Sequence, residues 1–237
     1  MMNETVYLYE THMHTSPVSN CADASPAEQV SAYKARGYAG IIVTDHFLNG
    51  NTGCPRGLSW EQKIDFFTSG YLAAKKEGAR CGLDVFFGLE YSVGGTEFLT
   101  YGLTPELLRE HTDMDRLTVR EYSVFVRSRG GFLAQAHPYR MARWIQNPRP
   151  ADPGLIDAVE VYNAGMPQSV NEKAFEFARR HHLPMQAGSD SHYADIPLVS
   201  GIALERKAES IFDVIEAIKG KQNDLVLPDR FHVKQQE

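Results

Sequence analysis

The sequence predicts an α/β protein whose strands and helices alternate from end to end, the rhythm of parallel β-α units in either a closed barrel or an open doubly wound sheet. Three observations carry that expectation. Short apolar runs read as strands, and the β-branched run Gly40 to Thr44 has the composition of one buried on both faces. Between such runs lie stretches that open on helix N-terminal signals, as in Ser25-Pro26-Ala27-Glu28 and Ser59-Trp60-Glu61-Gln62. A length of 237 residues suits one α/β domain, and no repeat, low-complexity tract or linker divides it.

In chain order, Val6 to Tyr9 reads as the first strand and runs into Glu10-Thr11-His12-Met13-His14. A helix follows from about Pro26 to Arg36, stopped by Gly37, then the strand Gly40 to Thr44, ending at Asp45-His46. Phe47 to Leu58 is a loop, and the helix after it reaches roughly Glu77. Asp84 to Leu89 is the third strand, ending at Glu90, and a Gly94-Gly95 turn leads to a fourth from Glu97 to Tyr101. Helices near Pro105 to Arg109 and Thr118 to Arg129 precede the strand Phe132 to Ala136, which runs into His137-Pro138. Arg140 to Pro153 is a loop with a helical turn, then Ala158 to Tyr162 is a strand and Gln168 to His181 a helix. The strand Pro184 to Gly188 ends at Ser189-Asp190-Ser191-His192, followed by the strand Gly201 to Leu204 and the helix Ser210 to Lys219.

The totals bound the function. Apolar residues at 43% and charged residues at 23% are ordinary for a globular protein, and no run approaches the apolar length of a membrane span. Met1 to Glu4 lacks the basic region and apolar core of a signal peptide, and three scattered cysteines form no C-x-x-C pair, so a reducing, cytoplasmic setting is expected. A formal charge of -6 gives no strong nucleic-acid signal, while leaving room for a local phosphate site.

His12, His14, His46, His137 and His192, with Glu90 and Asp190, all fall at or just beyond the C-terminal ends of these strands. In a barrel of parallel strands those ends share one rim, where such folds carry their sites. Any one of the seven has a bland explanation as a cap, turn or ion-pair residue; the same placement repeated from strand to strand does not. Imidazole with carboxylate suits zinc, manganese or iron better than calcium or magnesium. Seven ligands exceed the needs of one ion, so two or three divalent transition metal ions sharing a carboxylate are expected. His111, His181, His182 and His232 sit in charged or terminal stretches and read as surface residues.

With these motifs in that order, the chain resembles the PHP (polymerase and histidinol phosphatase) family of metal-dependent phosphoesterases over nearly its whole length. The resemblance rests on His12-x-His14, Thr44-Asp45-His46, Gly88-Leu89-Glu90, Ala136-His137-Pro138 and Gly188-Ser189-Asp190-Ser191-His192. It implies a distorted (β/α)7 TIM-like barrel, a single domain over residues 1–237, with a trinuclear centre on the C-terminal rim. It further implies that His12, His14, Glu90 and Asp190 hold a first metal, that Glu90 bridges to a second held by His137, and that His46 and His192 belong to a third. Asp45 would stand behind the ligands. Two family histidines are missing: Cys21, with Asp23 behind it, stands near the place of one, and Glu97 is the nearby candidate for the other.

The expected function is hydrolysis of a phosphate ester, a phosphomonoester ahead of a phosphodiester, in a small molecule or nucleotide. A hydroxide bridging the metals would attack phosphorus in line, Arg140 and with less support Arg143 would meet the phosphoryl oxygens, and a water, Asp45 or His192 would protonate the leaving oxygen. Two alternatives stand beside it: an amidohydrolase-like metal hydrolase, against which no strand end carries a bridging lysine, and a non-catalytic metal- or nucleotide-binding sensor domain.

Overall fold

The structure, a computed structural model, describes residues 6–143, 145, 148–195, 200–228 and 230–234, the last group by its backbone. The Met1 to Glu4 segment read for targeting signals and the side chain of His232 lie outside the described residues. The strands are β1 (Tyr7–Met13), β2 (Gly40–Val43), β3 (Asp84–Val93), β4 (Thr96–Tyr101), β5 (Phe132–Ala136), β6 (Ala158–Asn163), β7 (Met185–Gly188), β8 (Gly201–Leu204), β9 (Asp224–Leu227) and β10 (Arg230–Lys234). The helices are α1 (Pro26–Ala35), α2 (Trp60–Cys81), α3 (Pro105–Glu110), α4 (Val119–Arg127), α5 (Gln168–Arg180) and α6 (Ile211–Lys219).

The expected distorted α/β barrel is present. β1, β2 and β3 pair in parallel, as do β5, β6 and β7. The ring returns on itself where Met13 bridges Ser191, His14 N donates to Ser191 O at 2.8 Å and Thr11 Oγ1 donates to Ala187 O at 2.7 Å. The first half of β1 is claimed instead by β8, antiparallel, with Tyr7 opposite Leu204 and Tyr9 opposite Ile202. β1 therefore serves two neighbours in succession. Gly201 makes the crossing possible: its φ is +144°, and a Cβ there would lie 2.2 Å from the Tyr9 carbonyl oxygen.

Four features depart from the sequence expectation. β4 runs antiparallel to both β3 and β5, because a two-glycine turn at Gly94-Gly95 closes a hairpin where a helix would be needed to return in parallel. β3 does not end at Glu90; the hairpin ladder carries it to Val93. α2 continues past Glu77 to Cys81, where Gly82 takes the left-handed conformation that stops it. β9 and β10 extend the sheet beyond β8 and had no counterpart in the sequence reading.

The core divides by side of the sheet. Phe47, Phe67, Leu89, Tyr91, Phe98 and Tyr122 belong to the largest apolar cluster, in which Tyr91 and Tyr122 stack at 3.6 Å between ring centroids. Val214, Ile215 and Ile218 of α6 pack with Tyr9, Tyr101 and Phe132. Because β4 is reversed, its last residues and Gly102 lie at the end of the barrel away from the histidines, and Gly102 faces Ile215 there, so α6 seals that end. The strand ends bearing histidines are left open. No helix among the described residues is long and apolar enough to cross a membrane.

Candidate metal centre

β1 alternates its side chains across the pleat, which puts Glu10, His12 and His14 on one face. The bridge from Met13 to Ser191 sets the turn after β7 beside that face, so Asp190 Oδ1 lies 3.3 Å from His12 Nε2 and 3.2 Å from His14 Nε2. A parallel bridge between His46 and Glu90 extends the β2–β3 pairing and points Glu90 into the same space. β4 contributes Glu97 from its first turn at the rim, opposite Ala136 and thus next to His137. Seven side chains named from the sequence, His12, His14, His46, Glu90, His137, Asp190 and His192, converge; four groups of three, drawn from these and Glu97, could each hold an ion.

Glu90 is the centre of this arrangement. Its Oε1 lies 3.4 Å from both His12 Nε2 and His137 Nε2, and its Oε2 lies 3.5 Å from His14 Nε2 and 2.7 Å from His46 Nδ1. None of these close contacts has the geometry of a hydrogen bond, so both Glu90 oxygens, His46 Nδ1 and His137 Nε2 are buried beside one another without one. A buried carboxylate without hydrogen bonds costs several kcal/mol unless a cation satisfies it. A tetrahedral ion with bonds of about 2.1 Å separates its ligand atoms by about 3.4 Å, the spacing found here. The residues present fit divalent metal ions.

Residues behind the cluster fix which ring nitrogen faces inward. Glu160 Oε1 accepts from His12 Nδ1 at 2.9 Å, leaving Nε2 for the cluster. The Ser19 hydroxyl donates its one proton to Asp45 Oδ1 at 2.7 Å, so at 3.0 Å it accepts from His14 Nδ1 and, at the same distance, from His46 N. His192 Nδ1 donates to Asp190 O at 2.7 Å, turning its Nε2 toward Cys21 Sγ at 3.0 Å. His12 Nε2 and His14 Nε2 then face each other at 3.2 Å, an arrangement that needs either a proton or a cation between them.

The protonation pattern follows. Burial opposes an imidazolium at His12, but Asp190, Glu160 and Glu90 together lift it well above the usual histidine value. At His14 burial and the charge of His46 act in one direction and bring it down to about 3. Burial would raise Glu90, yet His46 and His12 hold it well below the ordinary carboxylate range; His12 and His14 do the same for Asp190. Burial also works against ionising Cys21, and hydrogen bonds with His192 and His46 outweigh it, bringing the thiol down to about 6.

The remaining predicted residues sort by position. Asp45 is buried behind the cluster, its carboxylate taken up by Thr15 N, Thr15 Oγ1 and Ser19, and burial pushes it up to about 6 against those bonds. A cavity of about 590 Å³ opens over the cluster and is lined by Cys21, His46, Glu97, Arg140, Asp190 and His192 among others. Asp45 and Arg143 are not among its described lining residues, and Asp23 and Arg143 are exposed. His137 and Asp190 both have positive φ, 24° and 52°, a conformation that costs free energy in residues with a Cβ and is concentrated at functional sites.

Sequence reasoning missed Glu160, Ser19 and Glu10. In sequence Glu160 reads as a residue of the strand Ala158 to Tyr162; an acid between Val159 and Val161 is the one signal that marks it. Glu10 lies beneath the cluster, accepting from His12 N, Ser189 N, Ser189 Oγ and Tyr33 OH.

Comparison with known proteins bears on the fold. Residues 168–196 match the family model for the PHP-associated (PHP_C) segment. The chain superposes over 96% of its length on a two-domain protein from Bacteroides vulgatus containing a predicted PHP-like metal-dependent phosphoesterase, with a TM-score of 0.72 and 14% identity. It spans 65% of that protein. The fold is PHP-like. The segment matched by the family model runs from α5 through β7 and carries Asp190 and His192 of the cluster. The PHP-like fold also aligns over 89% of this chain and 94% of a candidate metal-dependent phosphoesterase from Bifidobacterium adolescentis, at TM-score 0.59 and 16% identity. An amidohydrolase from Chromobacterium violaceum, with bound sulfate and no metal, aligns over 93% of this chain and 98% of its own at TM-score 0.52 and 16% identity. No curated protein matches the chain significantly.

Proposed function

We propose that residues 1–237 form one PHP-type unit that hydrolyses a phosphate ester, a phosphomonoester ahead of a diester, on a small molecule or nucleotide with the help of two or three divalent zinc, manganese or iron ions. The observation that carries this reading is Glu90, a buried carboxylate whose two oxygens lie among four imidazoles without a hydrogen bond to any of them. His12, His14, Glu90 and Asp190 would hold one ion, Glu90 and His137 a second, and His46 and His192 with Cys21 a third. Bound ions supply Lewis-acid charge for the phosphoryl oxygens and make water a competent nucleophile at neutral pH.

The chain's own residues do the rest. Glu160, and Asp45 acting through Ser19, hold His12 and His14 in the tautomer whose Nε2 lone pair faces inward. Arg140, on the cavity wall, offers guanidinium donors that match a phosphate's oxygens. His192 is the most exposed of the clustered histidines and lines the cavity, the position from which a leaving oxygen can receive a proton. Asp45 has its oxygens engaged elsewhere and acts as a positioning residue.

Assay of the purified protein for metal content and for phosphate release from p-nitrophenyl phosphate tests this. Stoichiometric transition metal with chelator-sensitive release is expected; a folded protein without either overturns the reading. A second reading, amide or lactone hydrolysis by the same centre, draws on the amidohydrolase neighbour. A parallel screen of phosphates, esters and amides separates the two by which bond is cleaved.

A further inference from the structure

We propose that Glu97 is a positioning residue, holding the guanidinium of Arg140 over the cleft in the orientation that grips the anionic group of the substrate, and that it is not required to hold the metal ions. The identity of that anion as a phosphate rests on the reading above. The position of Glu97 near His46, Glu90 and His137 makes a ligand role the obvious alternative. Its bonding says otherwise. Glu97 Oε2, the oxygen that faces His137 Nε2 at 3.6 Å, is already engaged, accepting from Arg140 Nη1 at 2.8 Å.

Both ends of the pair are fixed. Arg140 N donates to His137 O at 2.9 Å, which ties the start of the side chain to the turn after β5. Glu97 Oε1 accepts from Ser92 Oγ at 3.4 Å, and Asn49 holds Ser92 in turn, donating to Ser92 O at 2.6 Å. This line of contacts, Asn49 to Ser92 to Glu97 to Arg140, forms one wall of the cavity. A free arginine keeps many rotamers and loses that freedom on binding; a tethered one has already lost it. Among the described residues Glu97 takes one of the fork's five donors, and the others are left for an anion.

The sign of the effect separates the two ideas. Removing a negative charge from an anion site tightens anion binding by simple electrostatics, whereas loss of positioning weakens it. Calorimetric titration of the manganese-loaded protein with inorganic phosphate is the test. Glu97→Ala is expected to weaken phosphate roughly tenfold, the scale of one organised charge-assisted contact. Its metal content should be unchanged. Glu97→Gln, which keeps an acceptor oxygen, should retain most of the affinity, and Glu97→Ala combined with Arg140→Ala should bind no more weakly than Arg140→Ala alone. Equal or tighter phosphate binding by Glu97→Ala, additive losses in the double variant, or loss of an ion overturns the proposal. Labelling of Arg140 by phenylglyoxal, read by peptide mass without phosphate present, should rise in Glu97→Ala. If the loaded wild-type protein binds no phosphate, the phosphate-ester reading fails by itself, and unchanged labelling of Arg140 then overturns the positioning role independently.

Discussion

Glu160 Oε1 accepts the Nδ1 proton of His12 at 2.9 Å, joining two residues 148 positions apart in the sequence. Its other oxygen accepts from His137 N and Asn163 Nδ2, both at 3.0 Å, so one carboxylate orients two of the candidate ligands. Glu160→Gln keeps the shape but turns an amide NH₂ toward one set of these donors. Metal affinity should fall about 10- to 100-fold with the fold intact. Competition against a chromogenic chelator measures it, and unchanged affinity would remove Glu160 from the centre.

Metal binding should release protons. His12, His46, His137 and His192 are all raised above the ordinary histidine value by neighbouring carboxylates or, at His46 and His192, also by Cys21, so each holds its protons more tightly than a free imidazole does. An incoming ion must displace them, and affinity therefore falls as pH falls. The same pairs stabilise the metal-free fold: because the folded values are raised, that contribution is complete below the ordinary value of 6.5 and is lost as pH rises through the raised values. Calorimetry at pH 7 in two buffers of different ionisation enthalpy counts the protons, and melting of the metal-free protein across the same range tests the second sign.

Gly188 is the closest approach of β7 to the centre. A Cβ there would lie 2.6 Å from His12 Cβ and 2.7 Å from Glu160 Oε1. Gly188→Ala should cost about 1–3 kcal/mol by overpacking and displace the His12–Glu160 pair. Chemical denaturation gives the loss; a variant as stable as the parent, with full metal affinity, would show that the strand has room to move.

Ser19→Ala removes the hydroxyl that accepts from His14 Nδ1 and His46 N and donates to Asp45. The stranded buried donors should cost on the order of 1–3 kcal/mol. Because His14 loses its tautomer control, metal affinity should fall as well; a drop in melting temperature without a change in affinity would confine Ser19 to a structural role.

The parts of the centre legible in the sequence are those set by local geometry. His12 and His14 share a face because a strand has a period of two, and His46, His137 and His192 follow runs that read as strands. What could not be read depends on register and pairing between distant segments. Glu97 comes beside His137 because β4 is reversed and sets Glu97 opposite Ala136; the Gly94-Gly95 turn was legible, but the rhythm of parallel β-α units does not place a reversed strand's residues beside β5. Glu160 is marked in the sequence only as an acid between two valines, and which histidine it serves depends on the ring closing to bring β6 within reach of β1. Ser19 reaches Asp45 and His14 through a loop whose path no periodic pattern describes. β9 pairs with β8, and β10 with β9, where the β-α rhythm has ended.

The central claim is that the side chains around Glu90 are held together by metal ions. Anomalous diffraction from a crystal of the purified protein, collected at the manganese, iron and zinc absorption edges, tests it most directly. Two or three anomalous peaks are expected in the cluster, one in contact with His12, His14 and Asp190 and another with Glu90 and His137. A well-ordered cluster without anomalous density after soaking in each metal would contradict it.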